Sequence, residues 1–172
     1  MEIRALRVSD RRDEFTSGNL ELDRFFRLFA AQNQFRHHIG TTYVAAEDRT
    51  IFGYATVAAA QLEAEHVPPA LRKKLPGYPL PVLRLARLAV DERKQGAGIG
   101  KRLLRHVFYI AIDMAERIGC VGVVVDSKPE AAKFYEELGF VALELVSGEL
   151  EARPRTQPMF LPLELIVKAQ EG

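Results

Sequence analysis

Hydrophobic spacing along the chain alternates between the period of a strand and the period of a helix. Ile3 to Val8 reads as a first strand. Leu22, Phe25, Phe26 and Phe29 then recur at helical spacing behind Ser17 or Asn19, either of which can cap the helix. This aromatic stripe is expected in the core. Thr41 to Ala46 and Ile51 to Leu62 form a hairpin pattern turned by Glu47-Asp-Arg-Thr50. Val82 to Val90 is an apolar strand, Lys101 to Ile118 a long helix closed by Gly119, and Val121 to Val125 a buried β-branched strand. Ser127 and Glu130 have capping-box spacing, with Pro129 tolerated in the first turn. The helix behind them puts Ala131, Phe134, Tyr135 and Leu138 on one face, and Gly139 ends it. Met159 to Val167 supplies a last strand. The order β-α-β-β-β-α-β-α-β-β predicts an α/β (α+β) protein, a mixed sheet flanked by helices, in one domain over residues 1–172.

Composition narrows the class. With 48% apolar and 27% charged residues, a chain of 172 residues buries a substantial core. No window approaches an uninterrupted membrane span, and Met1-Glu-Ile-Arg-Ala-Leu lacks a signal-peptide layout, so no membrane association is expected. The lone Cys120 forms no internal disulfide and fits a reducing, cytoplasmic compartment. It is expected to pack at a strand start as a small hydrophobe, with a catalytic thiol as the alternative. The four histidines show no metal-ligand spacing, so no metal is expected.

Charge is uneven. Residues 72 to 105 hold ten Lys or Arg against Asp91 and Glu92, a local +8 in a chain whose total is +1, which leaves −7 elsewhere. Five of the nine prolines fall between Val67 and Pro81, in an irregular basic connection of a length that is often functional. The charge surplus exceeds what one phosphorylated ligand needs and points to a second polyanion, nucleic acid being the obvious one.

The candidate chemistry begins where the strand ending at Val90 meets a basic, glycine-rich turn, Arg93-Lys-Gln-Gly-Ala-Gly-Ile-Gly100. Gly96, Gly98 and Gly100 leave amides unshielded, the helix N-terminus adds partial positive charge, and Arg93, Lys94 and Lys101 add full charges. That is the composition of a phosphate cradle. It lacks the Lys-Ser/Thr end of a nucleotide-hydrolysing loop and the spacing of a dinucleotide site. Taken alone, the triplet equally fits a tight strand-to-helix turn.

Gln95-x-x-Gly98-x-Gly100 resembles the acyl-CoA pyrophosphate loop of the GNAT superfamily of N-acetyltransferases. Phe134-Tyr135 with Gly139-Phe140 resembles that superfamily's ending, in which the tyrosine stands beside the CoA sulfur. The resemblance implies a single GNAT domain with a mixed, mostly antiparallel central sheet, acetyl-CoA as donor and an amine as acceptor. It implies CoA contacts from Leu88, Ala89 and Val90, whose strand offers an oxyanion amide, and from Arg93 to Lys101, Ala97 and Ile99 included. It makes Tyr135 the general acid for the departing thiolate, against the alternative of a core tyrosine. Many members carry Asn seven residues before this tyrosine. Here that position is Lys128, which departs from the pantetheine contact and is offered instead to a phosphate of CoA or of the acceptor. Asp126 is the only carboxylate offered as a base, with a structural role as its alternative. An α-amine, titrating near 8, needs less help than a lysine side chain near 10.4.

Phe15-Thr-Ser-Gly-Asn-Leu-Glu-Leu-Asp23, Ala31-Gln32, Ile51-Phe-Gly-Tyr-Ala-Thr56, Arg87-Leu-Ala-Val-Asp91 and Met159-Phe-Leu-Pro162 together resemble the acetyltransferase toxins of bacterial toxin–antitoxin pairs. That resemblance implies acetylation of the α-amine of aminoacyl-tRNA, a block of translation, a ribbon-helix-helix antitoxin as partner, and a homodimer. Arg36, Arg72, Lys73, Lys74, Arg84 and Arg87 are the candidate tRNA contacts, with His37 and His38 beside Arg36. Competing readings are an N-acetyltransferase for a small-molecule or protein amine, and a non-catalytic acyl-CoA-binding regulatory module.

Overall fold

A computed structural model describes residues 1–143 and 156–171. Seven strands form one mostly antiparallel sheet in the order β1-β2-β3-β4-β5-β7-β6. They are β1 (Glu2–Ala5), β2 (Thr41–Glu47), β3 (Thr50–Leu62), β4 (Leu80–Val90), β5 (Gly122–Ser127), β6 (Val141–Ala142) and β7 (Gln157–Pro162). The helices are α1 (Leu20–Leu28), α2 (Pro69–Arg72), α3 (Ile99–Arg117), α4 (Ala132–Glu137) and α5 (Leu163–Glu171). The chain divides into two units, Met1–Ala58 with Leu85–Tyr109, and Ala59–Arg84 with Ile110–Gly172.

In the first unit, β1 pairs antiparallel with β2 (Ile3 opposite Ala45), and β2 with β3 around a bulge at Ala45/Ala46. Asn19, not Ser17, caps α1, its side chain accepting from the Leu22 amide at 3.1 Å. The aromatic stripe is core at Phe25 and Phe26, where Phe26 stacks on Tyr54 with centroids 4.5 Å apart and planes 7° apart. Phe15 meets the Phe26 ring edge-on at 4.9 Å, and the Tyr54 hydroxyl donates to the Leu22 carbonyl at 2.6 Å. Such aromatic pairs contribute about 0.5–1.5 kcal/mol beyond their buried area. Phe29 departs from the expectation: it lies past the last turn of α1 and is 40% exposed. The chain then winds as a π-helical turn, Gln32–His37, closed by His38 in the left-handed region at φ 55. Gly53 is required by close approach, since a Cβ there would lie 2.8 Å from the Ile99 side chain.

In the second unit, β5 pairs antiparallel with β7 from Gly122–Pro162 to Ser127–Gln157, and β6 adds Val141 opposite Phe160. Leu62, Val67, Leu80, Val82, Leu143 and Phe160 form its core. Three expectations are corrected here. The last strand does not run to Val167: β7 ends at Pro162 and α5 begins at Leu163. Pro162 offers no N–H to a ladder and suits a helix start, and behind it Ile166 is buried, as a helical period places it. The capping box is not formed. Ser127 stays in the ladder, its hydroxyl donating to the Lys128 carbonyl at 2.9 Å, and the turn Pro129–Ala131 has no side-chain cap. The proline-rich connection is partly ordered, with a 3₁₀ turn at Ala64–His66 before α2. Cys120 is buried and its thiol meets the Gly122 carbonyl at 3.2 Å; burial pushes that thiol up from its ordinary value.

Candidate active site

The cradle is built on the first unit. β4 carries half-buried Leu88, buried Ala89 and half-buried Val90 up to Asp91, and α3 starts at Ile99. Gly96 and Gly98 take φ of 82 and 83, angles that favour glycine, and a Cβ on either would meet nothing within 4 Å. The space above these two positions is therefore open, and their amides are bare. Gly98 also accepts the Arg102 amide through its carbonyl at 3.1 Å, which places it at the N-terminus of α3. Gly100 differs from the expectation for the triplet. It has no positive φ and sits inside the first turn, where a Cβ would make ordinary contact with Val90 at 3.8 Å. Ala97 is exposed, Ile99 is buried under the turn, and Lys101 is exposed beside it.

What holds the turn in shape is a brace that joins Arg93 and Gln95, both expected to meet CoA, to Asp91, Thr16 and Ser17, which the sequence did not single out as site residues. Asp91 is 1% exposed and accepts from the Thr16 amide (3.1 Å), the Arg93 amide (3.0 Å) and the Arg93 guanidinium (2.8 and 3.0 Å). Burial alone would raise its carboxyl, but these hydrogen bonds outweigh burial and hold it below the usual value. The segment before α1 closes the brace: the Glu92 amide donates to the Thr16 carbonyl at 2.8 Å, and the Gln95 side chain donates to the carbonyls of Ser17 (2.8 Å) and Val90 (3.0 Å). Ser17 is tied in turn to buried Asp23, its hydroxyl donating at 2.6 Å. Gly18, at φ 91, leaves room for Glu92, whose carboxylate a Cβ would approach to 3.0 Å. The Phe15–Asp23 pattern is thus the scaffold of the cradle. Its signal in the sequence was the run of short polar residues around Gly18, legible as a helix cap but not as a brace for a turn more than seventy positions away.

This arrangement sorts the cations. Arg93 is engaged by Asp91, and Arg93 and Lys94 both lie over the Phe52 ring, at 5.1 and 5.3 Å. Arg87 stacks on Phe25 with its guanidinium 3.7 Å from the centroid. Arg36 is exposed on the π turn. A small polar cavity of about 120 Å³ lies beside Arg93, lined also by Arg11, Glu14 and Arg49.

In the second unit, α4 ends in a Schellman motif: the Phe140 amide donates to the Tyr135 carbonyl at 3.1 Å, and the Gly139 amide to Glu136 at 3.0 Å, with Gly139 at φ 99. The hydrophobic contact of that motif is Tyr135 itself, edge-on to Phe140 at 5.3 Å and to Phe134 at 5.2 Å. Tyr135 is 6% exposed, and burial pushes its phenol up to about 12. The helix end and both neighbouring rings therefore fix this side chain. Asp126, the carboxylate offered as a base, accepts from the Arg84 guanidinium, which engages both groups. Arg72 donates to the carbonyls of Glu65 (2.9 Å) and Val67 (3.0 Å), so it holds the connection before α2. Lys73 is exposed, and Lys74 lies 3.8 Å from Glu164. Lys128 is half-buried at the start of the turn before α4. A cavity of about 280 Å³ is lined by Leu71, Lys74, Cys120, Phe160 and Glu164 among others. Among the described residues there is no cluster of side chains that would hold a metal, and no helix is long and apolar enough to cross a membrane.

A glycine-rich turn with open space above it at a helix N-terminus, at the end of a strand in a mixed sheet, defines a phosphate-binding α/β scaffold. Comparison with known proteins agrees: residues 38–142 match the family described as Acetyltransferase (GNAT) domain. The chain belongs to the GNAT acetyltransferase family. A tRNA-acetylating toxin of Mycobacterium tuberculosis is 32% identical over 137 residues, 78% of this chain and 81% of the relative. The solved structure of AtaT complexed with acetyl-methionyl-tRNAfMet superposes with a TM-score of 0.84 at 24% identity, covering 98% of both chains. The crystal structure of AtaTR bound with acetyl-CoA matches with a TM-score of 0.79 at 25% identity, over 98% of this chain and 97% of that one.

Proposed function

We propose that this protein transfers the acetyl group of acetyl-CoA to the α-amine of the amino acid on charged tRNA, and so acts as a toxin that blocks translation. The observation that carries this reading is the 32% identity to a tRNA-acetylating toxin across most of both chains. The cradle fits the donor. Bare amides at Gly96 and Gly98 and the charge of Lys94 and Lys101 suit a pyrophosphate, with Ala97, Ile99, Gly100, Arg93 and Gln95 shaping the turn. The strand amides from Leu88 to Val90 are assigned to the oxyanion, and Lys128 to a phosphate.

The amine attacks the thioester carbonyl, the C–S bond breaks, and the thiolate of CoA leaves. A phenol near 12 stays protonated throughout the physiological range, so Tyr135 is always available as a donor. Complete transfer to a thiolate near 8.5 would run uphill by about 5 kcal/mol, taking 1.36 kcal/mol per pKa unit. Tyr135 therefore stabilises the developing thiolate by hydrogen bonding, and the balance of protons comes from the attacking amine, which must lose one. With Asp126 held by Arg84, water serves as the base, which favours an amine that is already substantially neutral. The reading includes a cytoplasmic location, a homodimer, and a ribbon-helix-helix antitoxin as partner.

Incubation with labelled acetyl-CoA and total charged tRNA, alongside deacylated tRNA and a polyamine panel, tests it. Label is expected only on charged tRNA, released with the amino acid on mild base. Label on a polyamine or a protein instead would keep the acetyltransferase and refute the tRNA acceptor.

A further inference from the structure

The turn following α1 has a surface that the acetyl-transfer chemistry does not use. From Arg24 to Ala46 the chain contains no Asp or Glu, while it carries Arg24, Arg27, Arg36, His37 and His38. In a chain of net charge +1 this is a second, separate basic segment. Along it four large apolar side chains face solvent: Leu28 (60% exposed), Phe29 (40%), Phe35 (40%) and Ile39 (62%). The Arg24 guanidinium lies 6.0 Å from the centre of the Phe29 ring.

The π winding that presents Phe35 and Arg36 is pinned from below. The Gln34 side chain accepts from the Thr42 amide at 2.8 Å and donates to the Leu6 carbonyl at 3.2 Å. Gln32 meets the His37 ring at 3.0 Å, and His38 closes the turn in the left-handed region, a strained conformation for a residue with a Cβ. π turns of this kind occur frequently at functional sites.

We infer that Phe29 and Phe35, with Arg24 and Arg36, form a stacking platform for the unpaired end of an RNA. Exposed rings interleaved with cations suit nucleobases and phosphates together, because every base has a π face and the acid-free segment repels no phosphate. An unstructured acidic peptide would use the cations without needing the rings. The inference deepens the proposed function by assigning residues to the single-stranded part of its acceptor, and it rests on that reading for the identity of the RNA.

The test measures binding directly, without acetyl transfer. An RNA hairpin with a four-nucleotide 3′ tail is compared with the same hairpin cut blunt, by fluorescence anisotropy, for the wild type, Phe35→Ala, Phe35→Trp and Arg36→Gln. Stacking of one base is worth about 1–3 kcal/mol, so Phe35→Ala is expected to raise the Kd of the tailed RNA roughly tenfold and leave the blunt one unchanged. Phe35→Trp should retain tailed binding, and Arg36→Gln should flatten the salt dependence on the tail by about 0.7 in log–log slope. Equal loss on both RNAs, no loss on either, or a wild type indifferent to the tail would overturn the platform. So would loss of a bound protein partner in Phe35→Ala with RNA affinity intact. Tail binding through Phe35 by an enzyme that never labels charged tRNA would keep the platform and refute the acceptor. Labelling of charged tRNA with unchanged KM in Phe35→Ala would do the reverse.

Discussion

Tyr135 and the glycines of the cradle are each held for a physical reason that predicts what substitution does. Tyr135→Phe keeps the ring packing against Phe134 and Phe140 and removes only the hydroxyl. The turnover number is expected to fall about 10²- to 10³-fold, as for loss of one hydrogen-bond donor to developing negative charge, with acetyl-CoA affinity unchanged by calorimetry. The pH dependence carries the sign of the argument. With the phenol near 12, the wild-type rate should rise as the α-amine deprotonates near 8 and then stay level to roughly pH 11. A decline starting at pH 9 would mean that the tyrosine titrates far lower in the working complex and acts as a full proton donor. The glycines separate cleanly. Gly98→Ala forces a side chain into φ 83 and shields the amide, so both stability and acetyl-CoA affinity should drop. Gly100→Ala sits in ordinary helical backbone with its Cβ 3.8 Å from Val90, and should raise stability by up to about 1 kcal/mol. If it also weakens acetyl-CoA, the pyrophosphate passes close enough to Gly100 to exclude a methyl group.

At the scale of elements, the cradle depends on a partner segment distant in sequence. Asp91→Asn removes a buried anion from the Arg93 guanidinium and from two amides, which should lower stability by about 2 kcal/mol at neutral pH. Asp91 is depressed in the folded state, so its contribution is fully present above the ordinary carboxylate value of 3.8 and is lost as pH falls towards the folded value. The melting-temperature gap between wild type and Asp91→Asn should therefore shrink below pH 4; a gap constant to pH 3 would argue that the aspartate is not ionised in the fold. This brace also shows what a sequence can and cannot disclose. The hairpin, the long helix and the glycine-rich turn follow from local periods and breakers, and structure places them within a few residues of expectation. The Schellman cap at Gly139 was legible as a helix stop because one residue type at one position creates it. The contacts of Thr16 and Ser17 with Asp91 and Gln95 were not, since nothing local marks a backbone amide as the partner of a distant carboxylate. The terminal strand failed for the opposite reason: Met159 to Val167 is apolar enough for either period, and Pro162 decided between them.

For the whole molecule, the uneven charge becomes more specific once the side chains have partners. Of the cations between residues 72 and 105, Arg72 is committed to carbonyls, Arg84 to Asp126, Arg87 to the Phe25 ring and Arg93 to Asp91. A local surplus of +8 therefore overstates the charge offered to a ligand, and Lys73 and Lys101 are its exposed members with the simplest surroundings. Lys101 belongs to the cradle, whereas Lys73 stands on the connection after α2, away in sequence from every residue assigned to CoA. Charge reversal at Lys73 should then raise KM for charged tRNA and reduce its dependence on salt, because a phosphate contact releases counterions in proportion to the charge neutralised. Acetyl-CoA affinity should stay within about twofold, and an equal loss in both would assign Lys73 to the cofactor or the fold. Lys74→Glu adds the loss of an exposed pair with Glu164, a contact of this kind being worth at most about 1 kcal/mol, so its melting temperature is the control for fold effects. Arg72→Gln gives the contrast that makes the assignment decisive. Its guanidinium holds the carbonyls of Glu65 and Val67, so its loss should lower stability first and tRNA binding only through the loosened connection. A larger tRNA defect in Arg72→Gln than in Lys73→Glu, at equal stability, would place the RNA on the arginine and show that those carbonyls release it when the acceptor binds.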